Sequence, residues 1–139
     1  MELVAFFTYT GNSREVAWKL ALQNKTDIIQ IKESEKRSKF KTYIFGSFAA
    51  IKGKKTKIFI SEGNIEKYKK IIIVCPIWAG YTPPAINAFI DEFLINGMEV
   101  GFILLCKSGR VEEKCMKRVK KMLEEKNCIL IEHNVLKTK

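Results

Sequence analysis

The sequence has little of what metal-dependent, disulfide-stabilised and membrane-spanning proteins contain. It has a single histidine, His133, and its four cysteines show no C-x-x-C spacing, which argues against a zinc site and a disulfide framework. The cysteines are Cys75, Cys106, Cys115 and Cys128. We expect them to pack as small buried hydrophobes in a reducing compartment. The longest apolar stretch, residues 71–79, is far shorter than the roughly 20 residues that cross a bilayer, so we expect no transmembrane segment.

We also expect no secretion signal. Glu2 stands where a signal peptide carries basic residues, and no small-residue cleavage site follows it, so we expect a cytoplasmic protein. The chain has 139 residues, of which 47% are hydrophobic. A chain of this length can bury one proper core without disulfides or a structural metal. We therefore expect a single domain over residues 1–139.

Apolar runs of strand length alternate with amphipathic stretches of helix length, which is typical of repeated βα units around a parallel sheet. The five predicted strands are residues 3–8, 26–31, 71–75, 99–106 and 128–133. The predicted helices are residues 13–24, a helix that begins at Pro83 and Pro84 and ends near Asn96, and residues 111–126. The polar, lysine-rich stretch at residues 33–70 breaks this rhythm. It predicts a loop with one short helix near residues 41–51.

Three loops follow the first, third and fourth predicted strands, where an open parallel sheet binds its ligands. The first loop, residues 8–13, joins a strand to a helix N-terminus and offers hydroxyls, the Asn12 amide and free backbone N–H groups. Gly11 permits close backbone approach. Because the loop has no lysine of P-loop type, it suggests a terminal monophosphate and not a nucleoside triphosphate with magnesium. A plainer alternative is that Asn12 only caps the helix, with Glu15 completing a capping box.

The other two loops offer an aromatic surface and cationic groups. The second loop, residues 76–84, places Trp78 and Tyr81 in a turn that proline and glycine make rigid, and a flat ring fits against such side chains. The alternative is that either aromatic residue folds back onto its own domain. The third loop, residues 107–110, offers hydroxyl, backbone and cationic donors, although Ser-Gly turns are common.

These loops resemble those of the flavodoxin-like family. The Thr-x-Thr-Gly-Asn-Ser turn that begins at Thr8 is similar to that family's flavin mononucleotide (FMN) phosphate loop. The Pro-Ile-Trp-Ala-Gly segment that begins at Pro76 is similar to the isoalloxazine loop of its short FMN-binding and FMN-reductase members. The resemblance covers the whole chain, and the segment at residues 46–53 is also similar to one seen in bacterial members. It implies an α/β, three-layer fold: a five-stranded parallel sheet of order 2-1-3-4-5 with helices on both faces.

The resemblance also implies three groups of cofactor-binding residues, with no catalytic residue and no metal ligand. The residues expected to bind the phosphate are Thr8, Thr10, Gly11, Asn12 and Ser13, and Tyr9 of the same loop is also expected to contact the cofactor. One wall of the ring pocket comprises Pro76, Ile77, Trp78, Ala79, Gly80 and Tyr81. The residues expected near the pyrimidine edge are Cys106, Lys107, Ser108 and Gly109.

The charge balance departs from the electron carriers of this family. Carrier flavodoxins resemble one another in being acidic, whereas this chain has 25 Lys and Arg against 15 Asp and Glu, a net charge of +10. Much of the excess lies at residues 32–70, and the matching loops contain Lys107 and Arg110 but no carboxylate. Because cations stabilise an anionic reduced flavin, we expect a less negative reduction potential than that of an acidic carrier. The charge is either a solvated face or an attractor of an acidic redox protein, a nicotinamide dinucleotide or an anionic membrane surface.

The leading hypothesis is an FMN-binding redox protein that transfers electrons through a non-covalent FMN. An NAD(P)H-dependent FMN oxidoreductase of quinone or flavin reductase type remains open, as does a non-redox basic binding module on the same fold. Flavodoxin-like porphyrin-precursor oxidases and ribonucleotide reductase activators rank lower, because they carry other residues in place of the segment that begins at Pro76. We expect no nucleic-acid partner, because no recognisable binding module or interleaved aromatics accompany the charge.

Overall fold

The computed structural model describes residues 2–34, 50–61 and 63–138. In chain order, the elements are β1 (Glu2–Phe6), α1 (Asn12–Asn24), β2 (Asp27–Glu33), β3 (Ile58–Ile60), a 3-10 helix (Ile65–Lys67), β4 (Lys70–Pro76), α2 (Pro84–Phe93), β5 (Glu99–Cys106), α3 (Glu113–Glu125) and β6 (Ile129–Lys137). Most of the short helix predicted near residues 41–51 lies outside the described residues, as does half of the segment at residues 46–53.

The sheet has six strands in the order β3-β2-β1-β4-β5-β6. All neighbouring strands pair in parallel except β3, which pairs antiparallel with the edge of β2. The predicted sheet of five parallel strands is therefore wrong in its strand count and in being all parallel. The five predicted strands do lie next to one another in the order 2-1-3-4-5, but β3 has only three residues within the lysine-rich stretch, too few to show a strand period.

Strands β1 and β4 form the centre of the sheet because both of their faces are apolar. On one face Leu3 of β1 pairs with Ile71 of β4, and on the other face Val4 pairs with Ile72. All four side chains are buried. A strand covered on both faces has a continuous apolar sequence, as β4 does. At the start of this pair, the Glu2 carboxylate lies 3.9 Å from the Lys70 ammonium.

Helices cover both faces of the sheet. On one face, α1 packs the small residues Ala17 and Ala21 against Val4, Phe6 and Val74. The larger core lies on the other face, where buried side chains of α2 and α3 meet the strands. Helix α2 begins at Pro84 directly after Pro83, as predicted, and ends at Phe93, three residues before the expected Asn96. No helix in the described ranges is long and apolar enough to cross a membrane.

A matched pair of phenylalanines tests this core. Phe102 of β5 is 1% exposed, whereas Phe59 of β3 is 49% exposed. We expect Phe102→Ala to lower the free energy of unfolding by about 3–5 kcal/mol through lost apolar burial and a cavity. Phe59→Ala is expected to cost less than about 1 kcal/mol. Urea denaturation measures both, and equal losses would contradict the placement of these two strands.

Candidate functional site

A cavity of about 410 Å³ opens at the carboxyl ends of β1, β4 and β5. The chain leaves β1 through α1 to reach β2 on one side, whereas β4, β5 and β6 follow on the other. The crevice between β1 and β4 is thus the switch point at which a doubly wound sheet binds ligands. The cavity volume lies within the roughly 300–1,000 Å³ typical of small-molecule sites.

Backbone geometry shapes the loop between β1 and α1. The Gly11 N–H donates to Thr8 Oγ1 at 2.9 Å, which closes a tight turn. Gly11 has φ of 100°, a left-handed conformation that favours glycine. It stands just before α1 as the N-cap residue, and no side chain caps this terminus. The N–H groups of the first turn therefore have no side-chain partner and are available to an anion.

The alternative capping box is not formed. Asn12 is the first residue of α1 and not its cap, and the Glu15 N–H donates to the Gly11 carbonyl at 3.1 Å within the first helical turn. The Glu15 carboxylate instead pairs with the Lys19 ammonium at 3.0 Å. Asn12, Thr10 and the buried Ser13 line the cavity.

The loop after β4 is a two-residue hairpin turn. The N–H groups of Trp78 and Tyr81 each donate to the carbonyl of the other, at 2.8 and 3.0 Å. The two central residues, Ala79 and Gly80, both have positive φ, of 49° and 87°. This geometry is that of a type I′ turn, in which glycine is favoured and alanine is strained. The turn, residues 78–81, holds Trp78 at the edge of the cavity, and we call it the Trp78 turn.

Two aromatic rings hold the Trp78 indole by edge-to-face contacts. The Phe7 ring centroid lies 5.7 Å from that of Trp78, and the Tyr9 centroid lies 6.4 Å away, with interplanar angles of 70° and 89°. Phe7 is buried, whereas Tyr9 is 39% exposed. Trp78 and Tyr9 both line the cavity, so a ligand meets aromatic carbon on this side.

Tyr81 contacts α3 and does not line the cavity. The Arg118 guanidinium carbon lies 3.7 Å from the centre of the Tyr81 ring, and the Lys114 ammonium lies 5.4 Å from it. Arg118 also donates to the carbonyls of Ala50 and Ile51, at 2.7 and 2.8 Å. Tyr81 is thus the aromatic residue of this loop that folds back, and it joins the turn to α3.

The loop after β5 closes the remaining side of the cavity. Cys106 and Lys107 line it, whereas Ser108 organises the turn, since its Oγ donates to the Arg110 carbonyl at 3.0 Å. Gly109 has φ of 74°, and a Cβ at that position would lie 3.2 Å from the Lys137 side chain. The turn therefore packs against the end of β6.

The structure brings ten of the predicted site residues together around the cavity. They are Thr8, Tyr9, Thr10, Asn12, Ser13, Pro76, Ile77, Trp78, Cys106 and Lys107. The predicted residues that do not line it are Gly11, Ala79, Gly80, Tyr81, Ser108 and Gly109. Of these six, all but Tyr81 are turn residues that shape the loops.

Two further residues that the sequence did not indicate line the cavity. Leu105 comes from β5 and packs on the α1 face of the sheet. Thr138 follows β6, and its N–H donates to the Cys106 carbonyl at 3.0 Å. The strand that carries it was predicted to end at residue 133, but β6 continues to Lys137. Thr138 gave no signal because the later half of β6 is largely exposed and shows no pattern of buried side chains.

The charge that lines the described part of the cavity is positive only. Lys107 is the only charged side chain, and no Asp or Glu appears, among the described residues that line it. Nor do three or more potential metal ligands cluster anywhere in the described part of the chain. The arrangement offers hydroxyls and free N–H groups at one end and aromatic surface at the other, which fits a phosphorylated ligand with a flat ring.

Comparison with known protein families assigns the chain to one of them. The sequence model of a family described as Flavodoxin matches residues 1–138. The chain belongs to the flavodoxin family. No curated protein matches it in sequence.

Solved structures share the fold of this chain. A flavoprotein in complex with FMN from Lactobacillus acidophilus NCFM has a TM-score of 0.78 at 18% identity, covering 96% of this chain and 91% of that chain. A candidate flavoprotein from Bacteroides eggerthii DSM 20697 has a TM-score of 0.83 at 23% identity, with coverages of 99% and 89%. Oxidised Flavodoxin 1 from Bacillus cereus has a TM-score of 0.56 at 16% identity, with coverages of 100% and 86%.

Thiol labelling tests the placement of Cys106 at the cavity. Cys106 is partly exposed at the cavity, whereas Cys75 and Cys115 are fully buried, and burial raises the pKa of both buried thiols. A raised pKa lowers the fraction of reactive thiolate. We expect iodoacetamide at pH 8 to modify Cys106 at least roughly tenfold faster than either, as read by peptide mass spectrometry. In urea all four cysteines should react, and fast native labelling of Cys75 would contradict this packing.

Proposed function

We propose that this chain binds FMN non-covalently and transfers electrons through it. The observation that carries the proposal is the cavity at the switch point, where the hydroxyl-rich loop before α1 meets the Trp78 turn. Membership of the flavodoxin family and the FMN complex of the Lactobacillus acidophilus flavoprotein support the same cofactor. Bound FMN would supply the redox chemistry, while the protein supplies anchoring, stacking and electrostatic tuning.

The phosphate would occupy the end of the cavity next to α1. Thr10, Asn12 and Ser13 line that end with polar side chains, and the first turn of α1 adds N–H groups without a side-chain cap. Thr8 has a second role, since its Oγ1 already accepts the Gly11 N–H. This donor set suits a phosphate monoester, because helix N-termini and hydroxyls stabilise its negative charge.

The isoalloxazine ring would contact the aromatic end of the cavity. Trp78, fixed between Phe7 and Tyr9, offers indole surface to a flat ring. Cys106 and Lys107 would lie near the pyrimidine edge, where the ammonium of Lys107 favours negative charge. No acid or base among the lining residues is required for electron transfer, because the side chains only position and tune the cofactor.

A second candidate is an NAD(P)H-dependent FMN oxidoreductase. The observation that favours it is the lack of carboxylates among the described cavity residues, together with the cation Lys107. Such a site would not repel the phosphates of a nicotinamide dinucleotide. Rapid bleaching of the flavin absorbance by NADPH or NADH would favour the reductase. Two separate one-electron waves in a potentiometric titration would favour the carrier.

The visible absorption spectrum of the purified protein is the first test. We expect a yellow protein, or an apoprotein that takes up FMN with a flavin spectrum. Occupation of the cavity should also shield Cys106 from iodoacetamide, since this thiol lines it. A colourless protein that takes up no FMN would overturn the proposal and favour a non-redox binding module.

Thr10→Val tests the phosphate end of the cavity. The change removes one hydroxyl donor while keeping the side-chain shape, and a hydrogen bond to a charged group contributes roughly 1.5–3 kcal/mol. We expect FMN to bind about ten- to a hundredfold more weakly by fluorescence titration. Thr10 is exposed, so the unfolding free energy of the apoprotein should stay unchanged.

The matched control is Thr56→Val, because Thr56 does not line the cavity. This variant should keep the FMN dissociation constant of the parent. An unchanged dissociation constant in Thr10→Val would remove Thr10 from the site.

Lys107→Gln tests the electrostatic tuning. Removing the cation withdraws a stabilising interaction from the anionic reduced flavin, so the reduction potential should become more negative. Solvent screens this exposed ammonium, and we expect a shift on the order of tens of millivolts that shrinks as salt is added. Lys19→Gln on α1 serves as the control, because Lys19 does not line the cavity. Equal shifts in both variants would contradict a local role for Lys107.

A further inference from the structure

Most of the charged side chains on one surface beside the cavity are cations. We call it the basic face. It comprises Lys107, Arg110, Lys114, Lys117, Lys120 and Lys121, of which the first two precede α3 and the others lie on it. All six are exposed. Residues 107–121 contain seven basic residues and only two acidic ones, Glu112 and Glu113.

The two carboxylates neutralise little of this charge. Lys114 lies 3.4 Å from Glu112 and Lys117 lies 3.6 Å from Glu113, and the side chains of the second pair are 75% and 83% exposed. Exposed pairs of this kind are weak and are screened by salt. The remaining four cations form no ion pair with a carboxylate in the described ranges. The basic face is therefore positively charged toward solvent.

The basic face begins at the mouth of the cavity. Lys107 lines the cavity, and Lys114 lies 5.4 Å from the ring of Tyr81 in the Trp78 turn. From there α3 extends over 13 residues, or about 20 Å. Tyr9, 39% exposed, and the half-buried Trp78 lie at the same mouth. Aromatic residues beside a charged rim are typical of the surfaces at which proteins associate.

We propose that the basic face docks an acidic protein that donates electrons one at a time to the cofactor. The inference rests on the proposed function, because it assigns the partner of the same site. Two reduced donors each lose one electron, and with one proton from solvent they convert oxidised FMN to its anionic reduced form. An acidic donor fits because the complementary charges meet where its redox centre must come closest to the cavity. The Lys107 ammonium also favours electron flow toward the flavin.

Other anionic partners satisfy the charge but not its position. An anionic membrane or a nucleic acid brings no electron, so nothing would require it to approach the cavity mouth. The association predicted here is weak and fast, since electrostatic attraction mainly increases the association rate and depends on ionic strength.

The test compares two double variants with equal charge change. Lys117→Gln with Lys121→Gln removes two charges from the basic face, at positions that do not line the cavity. Lys19→Gln with Lys69→Gln removes two charges elsewhere, at α1 and before β4. The pairs are matched, because Lys117 and Lys19 each hold an i,i+4 glutamate on their own helix, whereas Lys121 and Lys69 form no ion pair with a described carboxylate.

The probe is a reduced acidic [2Fe–2S] ferredoxin mixed with the FMN-loaded protein in a stopped-flow instrument. At low ionic strength we expect the basic-face variant to be reduced roughly three- to tenfold more slowly than the parent, and the control less than about twofold more slowly. The difference should vanish near 1 M salt, where the Debye length falls to about 3 Å. Reduction by dithionite should be the same in all three proteins.

Several outcomes would overturn the proposal. Ferredoxin could reduce both double variants equally slowly, or at rates that do not depend on salt. The basic-face variant could be reduced more slowly by NADPH but not by ferredoxin. The parent could bind phosphatidylserine vesicles or duplex DNA more tightly than it binds ferredoxin, with that binding lost in the basic-face variant. Calorimetric titration with ferredoxin measures docking without electron transfer. If the protein takes up no FMN, the proposed function fails, yet a complex that only the basic-face variant loses would still support the docking surface.

Discussion

Parallel pairing of β1 with β4 is the interaction on which the rest of the structure depends. The pair buries apolar side chains on both faces, so it fixes the sheet centre, and it places two strands with diverging connections side by side. The loops that follow them cannot cross over the crevice, because one leads away through α1 and the other toward α2. The hydroxyl-rich turn and the Trp78 turn are therefore neighbours through topology, although about 70 residues separate them in sequence.

Much of the fold was predictable because burial leaves a pattern in the sequence. Strands β1 and β4, covered on both faces, appear as continuous apolar runs, and α3 shows a clear helical period with Cys115, Val119 and Leu123 buried. This hydrophobic pattern is absent where the side chains are exposed. Strand β3 has only three residues and lies at an edge of the sheet, and the later half of β6 is largely exposed. Neither segment therefore shows the alternation of apolar and polar residues that predicts a strand.

The site was predictable to the extent that loops follow buried strands. Loop chemistry located the hydroxyls and Trp78, but a sequence does not tell which way an aromatic side chain turns. Tyr81 lies against Arg118, 37 positions further along the chain, and only the packing of α3 reveals that contact. Thr138 reaches the cavity through a backbone hydrogen bond to Cys106, a contact set by the pairing of β5 with β6. Such contacts arise from tertiary structure and leave no local pattern.

The surplus of positive charge divides into cations that the fold uses and cations that it does not. Arg118 ties α3 to Ala50 and Tyr81, and Lys126 donates to the Asp91 carbonyl at 2.8 Å, so both have structural partners. Lys120 and Lys121 have none among the described carboxylates, and as exposed side chains on a solvent-facing helix they contribute little to stability. Their charge is therefore free to act on association, because long-range attraction needs no contact within the folded chain. Since Lys107 carries the same sign into the cavity, one charge distribution favours both the approach of an anion and the gain of negative charge inside the site.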